Sequence, residues 1–155
     1  MFEEREIKDF DEIDALLAQS RVCRIALIDG YYPYIVPMCF GYNLQGGKLE
    51  LYFCSPEKGR KVDLISRNHK AAFEIDKLHE VVRPEEGFGI AALYRSITGT
   101  GEIELITGID KITGLNLIFK KYGVSPADSK VSEQELNSMA VLKLTAEKFC
   151  CNANV

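Results

Sequence analysis

Alternation of apolar and polar side chains with a period of two recurs along this chain, and it predicts strands buried on one face. Between Val22 and Ile28, residues Cys23, Ile25 and Leu27 share one side and Arg24 takes the other. Asp29-Gly30 supplies a tight turn into a second run, Tyr32 to Tyr42, so the two runs read as a hairpin. In that second run Tyr34, Val36, Met38 and Phe40 share a side. Pro37 has no N–H to give to a ladder, which implies a bulge or a free edge. After the turn at Asn43 to Gly47, alternation returns in Leu49, Leu51 and Phe53, and again in Ala71, Phe73 and Ile75. A long extended run from Ile90 to Leu105 puts Ile97, Gly99, Gly101, Ile103 and Leu105 on one side. Glycines at alternate positions there call for a strongly bent strand or a close neighbour. Ala140 to Cys150 reads as the last strand.

Three stretches change to the helical period. Asp9 caps a short amphipathic helix to about Ser20, with Ile13, Leu16 and Leu17 forming a lid for the core. Ser55 fits an N-cap and Pro56 the first position of a helix to about Arg67, in which Val62, Leu64 and Ile65 define an inward arc that also contains Lys61. Thr107 caps a third helix, with a stripe of Ile112, Leu115, Ile118 and Phe119 that ends near Gly123. Lys77 to Gly89 is charged and reads as a loop, and Ser125 to Asn137 as a connection with one helical turn. The total is about six strands and three helices without βαβ alternation, so the expected class is mainly β (α+β): an antiparallel β-barrel flanked by helices, not a Rossmann sheet.

The chain has 155 residues, of which 46% are hydrophobic and 27% charged, ordinary values for a globular protein with one domain spanning 1–155. No window approaches the ~18 apolar residues of a membrane span. The acidic start, Met1 to Glu6, has no apolar h-region, so a cytoplasmic location is expected. Five cysteines without C-x-x-C spacing read as thiols, and two histidines without clustered ligands give no reason to expect a metal. A net charge of −4 argues against nucleic acid as a partner.

Against that acidic background the basic cluster at Lys58, Arg60 and Lys61 is local and suited to a small anion. Free N–H groups at a helix start favour phosphate, although a solvated surface helix with Lys61 snorkelling past its apolar edge explains the same pattern equally well. Gly59 costs about 1 kcal/mol relative to Ala in a helix interior and so implies close approach of a ligand or backbone. Arg95 and Ser96 are candidates to close round the same anion, or Arg95 simply pairs with a surface carboxylate. Cys54, where the strand hands over to the basic helix start, is either an activated thiol or a small buried core residue. His79 is either a general acid or a solvated loop histidine. Nucleotide loops of the Rossmann and P-loop kinds are missing, as is G-x-S-x-G.

Five blocks resemble the Nim-type (nitroimidazole-resistance-like) members of the pyridoxamine 5′-phosphate oxidase-related flavoproteins in order and spacing. They are Arg21 to Ile28, Pro33 to Tyr42, Leu51 to Ser55, Gly59-Arg60-Lys61 and Tyr94 to Gly101. The resemblance covers about Ile7 to Leu105. It implies a six-stranded split β-barrel, a homodimer, and FMN, less often FAD, at the subunit interface. It places the flavin ring along Val36, Pro37, Met38 and Cys39, with Phe53 and Cys54 beside it, and the phosphate by Ser55, Lys58, Gly59, Arg60, Lys61, Arg95 and Ser96. The implied activity is a flavin-dependent oxidoreductase that takes electrons from a nicotinamide nucleotide and passes them to a small planar acceptor such as a nitroaromatic. The alternative is a non-catalytic flavin or haem carrier or sensor on the same barrel. Relatives often carry histidine where Cys54 stands, next to the flavin, which makes Cys54 a catalytic candidate, while the resemblance assigns no single catalytic side chain.

Overall fold

The computed structural model of the chain describes residues 4–87, 89–125 and 131–154. In chain order the elements are β1 (Glu4–Ile7), α1 (Phe10–Gln19), β2 (Cys23–Asp29), β3 (Tyr32–Met38), β4 (Gly41–Gln45), β5 (Lys48–Pro56), α2 (Arg60–Arg67), β6 (Lys70–Val82), β7 (Ala91–Ile106), α3 (Gly108–Lys121), α4 (Glu133–Asn137) and β8 (Met139–Asn154). Every strand pair is antiparallel, in the order β3-β2-β6-β7-β8-β5-β4, with β1 added on β8. One core cluster joins Ile25 and Met38 from one end of that order to Leu49, Leu51 and Phe53 near the other, so the sheet curls round a shared interior. Its end strands β3 and β4 do not pair with each other, and the expected barrel is therefore an open one.

The mainly β class holds, with eight strands and four helices among the described residues in place of about six and three. One added strand comes from the expected run Tyr32 to Tyr42, which breaks at Cys39-Phe40 because the Phe40 N–H donates to the Tyr122 hydroxyl (3.1 Å). Another is β1, which exists through its pairing with the far end of β8. The expected loop at Lys77 begins as six further residues of β6, which pairs with β7 as far as Val82–Ala91 across a register shift at Leu78/Glu80. Beyond Leu78 that arm is a two-stranded ribbon with no third strand paired to it, so no face has to be continuously apolar.

The α1 lid forms as expected. The Asp11 N–H donates to Asp9 Oδ1 at 2.8 Å, and Ile13, Leu16 and Leu17 are buried, each worth about 1.5–3 kcal/mol. In β7 the glycines mark close neighbours. A Cβ on Gly101 would lie 2.1 Å from the Thr145 carbonyl oxygen, and one on Gly99 2.6 Å from the Phe73 ring. The ladder to β8 shifts register between Thr100 and Gly101, and beyond Ile103 the strand leaves the main core: Leu105 is exposed, and Ile106 is buried on the other face with Leu115, Ile118 and Val141. On α3, Leu115 and Ile118 are buried and Phe119 packs against them, but Ile112 faces solvent. The close docking of α3 depends on Gly41, where a Cβ would meet the Ile118 nitrogen at 2.5 Å. Among the described residues no helix is long and apolar enough to cross a membrane.

Candidate functional site

The start of α2 lies later than the sequence predicts. Ser55 and Pro56 are the last residues of β5, paired with Ala140 and Met139 of β8, and the helix opens at Arg60 with Gly59 as N-cap. Long-range pairing to β8 overrides the local Ser-Pro signal. At φ 146° Gly59 adopts a backbone that favours glycine, and a Cβ there would meet nothing within 4 Å. The expected close backbone contact is therefore absent, and the space beside the helix start is open.

No side chain caps α2, so its first N–H groups face outward with no capping partner. Three cations surround this point in different states. Lys58 is exposed, and Lys61 is half-buried with no ion pair or hydrogen bond among the described residues. Arg60 is engaged: its Nε and Nη2 donate to Asp29 Oδ2, the former at 3.2 Å, and its Cζ stands 4.3 Å over the Tyr34 ring. The carboxylate bond holds the Arg60 pKa above its ordinary value. Asp29 closes β2 and Tyr34 lies two residues into β3, so the β2–β3 hairpin tip and the α2 start form one cationic corner.

The remaining predicted residues fall into two other places. Val36, Pro37, Met38 and Cys39 lead away from this corner along β3, an end strand whose second edge has no partner. Pro37 opposite Arg24 fits that free edge. Val36 and Met38 turn inward, while Pro37 and Cys39 are exposed. Arg95 and Ser96 are not beside Lys61 in this chain. Ser96 pairs with Asp76 and Leu27 with Ala71, so the two levels are separated by several residues of β6, and Asp29 lies further still, roughly 23 Å in all at about 3.3 Å per residue. Arg95 instead lies beneath α1, with Glu12, Leu16 and Gln19 lining the same small cavity and His79 Nε2 3.4 Å from its Nη1. Arginine only donates, so His79 accepts there.

Phe53 is fully buried in the main core, and Ser55 is buried with its hydroxyl on the Pro56 carbonyl (3.2 Å), so neither side chain reaches the open corner. Cys54 points the opposite way, into a second cluster with Tyr52, Leu115 and Ile118 under α3. Burial raises its pKa, partly offset by Lys111, not by the α2 cations. Cys54 is thus a partly buried thiol that faces Lys111 and α3, not the start of α2. Lys111 itself is clamped by the carbonyls of Leu136 and Met139 at 2.6 and 2.5 Å. Nothing in the local sequence marks Asp29 as more than a turn residue, or Tyr34 as the platform under Arg60. All five cysteines are free thiols, and among the described residues no group of three or more His, Cys, Asp or Glu is arranged to hold a metal ion.

The cationic corner thus sits beside the free-edged strand β3 at one end of an open antiparallel sheet. The family model for pyridoxamine 5′-phosphate oxidase matches residues 9–150, and the chain belongs to that family. Its fold is similar to that of a candidate 5-nitroimidazole antibiotic resistance protein from Bacteroides thetaiotaomicron (TM-score 0.82, 22% identity, covering 99% of this chain and 89% of that one). It is also similar to a FAD and haem binding protein from Mycobacterium smegmatis (TM-score 0.82, 20% identity, covering 96% and 73%). A flavocytochrome from Azotobacter vinelandii matches with TM-score 0.76 and 17% identity, covering 97% and 69%. The search of curated proteins gave no match.

Proposed function

We propose that this chain is a flavin-binding oxidoreductase that holds an FMN moiety lengthwise along β3 and reduces a small planar acceptor such as a nitroaromatic. The observation that carries the proposal is Lys61, a half-buried cation with no partner among the described residues, beside the uncapped start of α2. Uncapped N–H groups and an unpaired ammonium form a phosphate site with no internal anion to displace. From Tyr34 at that site to Cys39 is five residues, roughly 16 Å of strand, comparable with an extended flavin mononucleotide. The ring then lies at Val36 to Cys39, where free-edge backbone of β3 can bond its polar rim. The bound flavin supplies the hydride and electron chemistry, and the protein supplies placement. Family membership and fold similarity to flavin-binding proteins support the same reading.

The proposal includes a homodimer. Ile28, Pro33 and Ile35 leave an apolar outer face exposed on β2 and β3, and Ala26, Ile28, Pro33 and Ala72 line a cavity of about 420 Å³ there. Such a face calls for a cover. A second copy would also bring another Arg95 and Ser96 to the flavin, which one chain does not do. A passive flavin or haem carrier is the second reading, favoured by the burial of Cys54 away from the α2 start. The test has two stages. Purified protein titrated with FMN should bind it and elute as a dimer; a protein that stays colourless refutes both the cofactor and the role. Rapid mixing with NADH or NADPH should then bleach the flavin band, with recovery on adding a nitroaromatic. A flavin that never bleaches leaves the carrier.

A further inference from the structure

Two tyrosines at the tip of the β2–β3 hairpin are not used by that reading. Tyr31 is 92% exposed and Tyr32 75%, and their rings meet edge-on with centroids 5.1 Å apart. Neither packs on the core. Large rings left bare at a turn expose apolar area at a cost, and a paired set beside a cationic corner is the arrangement that binds a nucleobase. The corner is close by. Tyr32 pairs in register with Asp29, which holds Arg60, and Tyr32 shares a strand side with Tyr34, the ring beneath the Arg60 guanidinium. Along the free edge of β3 the order of levels is therefore Cys39 and Pro37, whose side chains take the outer face, then Tyr34 with Arg60 and Lys61 on the inner side, then Tyr32 and, in the turn, Tyr31. It runs in one direction: free strand edge, cations, paired aromatic rings.

We infer that Tyr31 and Tyr32 are an adenine platform and that the preferred ligand of this chain is the dinucleotide FAD rather than FMN. The inference rests on the flavin reading above. FMN would end at the cations and leave the two rings bare. FAD extends past the phosphate through a second phosphate and a ribose to adenine, in the direction in which the tyrosines lie. Its pyrophosphate also gives work to all three cations of the corner, including the exposed Lys58. Stacking of one base on an aromatic ring should favour FAD over FMN by about ten-fold.

The test uses the full-length protein stripped of flavin and titrated separately with FMN, FAD and riboflavin, following fluorescence, for the natural chain and for Tyr32→Ala and Tyr31→Ala/Tyr32→Ala. FAD should bind about ten-fold tighter than FMN, and the double variant should bring FAD to the FMN level while leaving FMN unchanged. Both positions are exposed, so folding should be unaffected; riboflavin affinity and circular dichroism check that. The inference is overturned if FMN binds as tightly as FAD to the natural chain, or if the variants weaken both by the same factor. Failure of every flavin to bind would instead remove the underlying proposal.

Discussion

Replacing Lys61 with Ala tests the phosphate corner most directly, and the comparison with Arg60→Ala makes the outcome quantitative. Lys61 is half-buried and has no internal partner, so its ammonium gives up only water when a phosphate arrives. A charge-assisted hydrogen bond in that setting is worth about 1.5–3 kcal/mol, or roughly 10- to 150-fold in affinity. Arg60 has a 61% exposed side chain and is already bonded to Asp29, whose carboxylate opposes an incoming dianion. Its removal should cost less, roughly two- to five-fold in affinity. Fluorescence titration with FMN and with riboflavin isolates the phosphate, because riboflavin lacks it. Lys61→Ala should weaken FMN and spare riboflavin, and the difference should shrink at high salt. Equal losses for the two ligands, or a larger loss from Arg60→Ala than from Lys61→Ala, would refute the reasoning.

Gly101→Ala forces a Cβ to 2.1 Å from the Thr145 oxygen, a backbone atom that cannot rotate away; it should lower stability by about 1–3 kcal/mol, read as a melting shift of roughly 2–4 °C per kcal/mol. No shift would mean that the β7–β8 register change does not depend on that glycine. Burial pushes the Cys23 thiol from 9.0 up to about 12. Because the folded pKa is raised, its contribution is complete below pH 9 and is lost as pH climbs toward 12, at about 1.4 kcal/mol per pH unit. Urea melts on either side of pH 9 should show that decline, and Cys23→Ala should flatten it; a slope that survives the substitution assigns it to other groups. Burial also raises the Cys54 thiol, so at mildly alkaline pH iodoacetamide should label exposed Cys39 and Cys150 well before Cys54. Mass spectrometry showing Cys54 labelled first would restore the activated thiol.

Several elements were legible because their cause is local. Period-two alternation located β2, the inward side of β3 and the centre of β7, and the Asp9 cap with Ile13, Leu16 and Leu17 located α1. Composition picked out the Lys58 to Lys61 cluster, and motif order gave the family, since both are properties of the string of residues. The errors lie where a distant partner decides. β5 runs through Ser55 and Pro56 because Ala140 and Met139 are there to pair with them, and β6 continues to Val82 because β7 lies alongside. Within one chain the strand register also puts Arg95 and Ser96 at a different level of the sheet from Lys61, a separation that no local pattern encodes.

By itself, then, the sequence determined which segments alternate, where α1 is capped, which family the chain resembles, and that a patch of positive charge stands out on an acidic protein. Only the folded chain decided that Asp29 occupies Arg60 while Lys61 stays unpaired, that Cys54 faces α3, and that Tyr31 and Tyr32 stand bare beside the cations. The physical reason is range. Capping and periodicity act within a few residues, whereas ion pairing and burial depend on neighbours that are far apart in sequence and meet only when the strands pair.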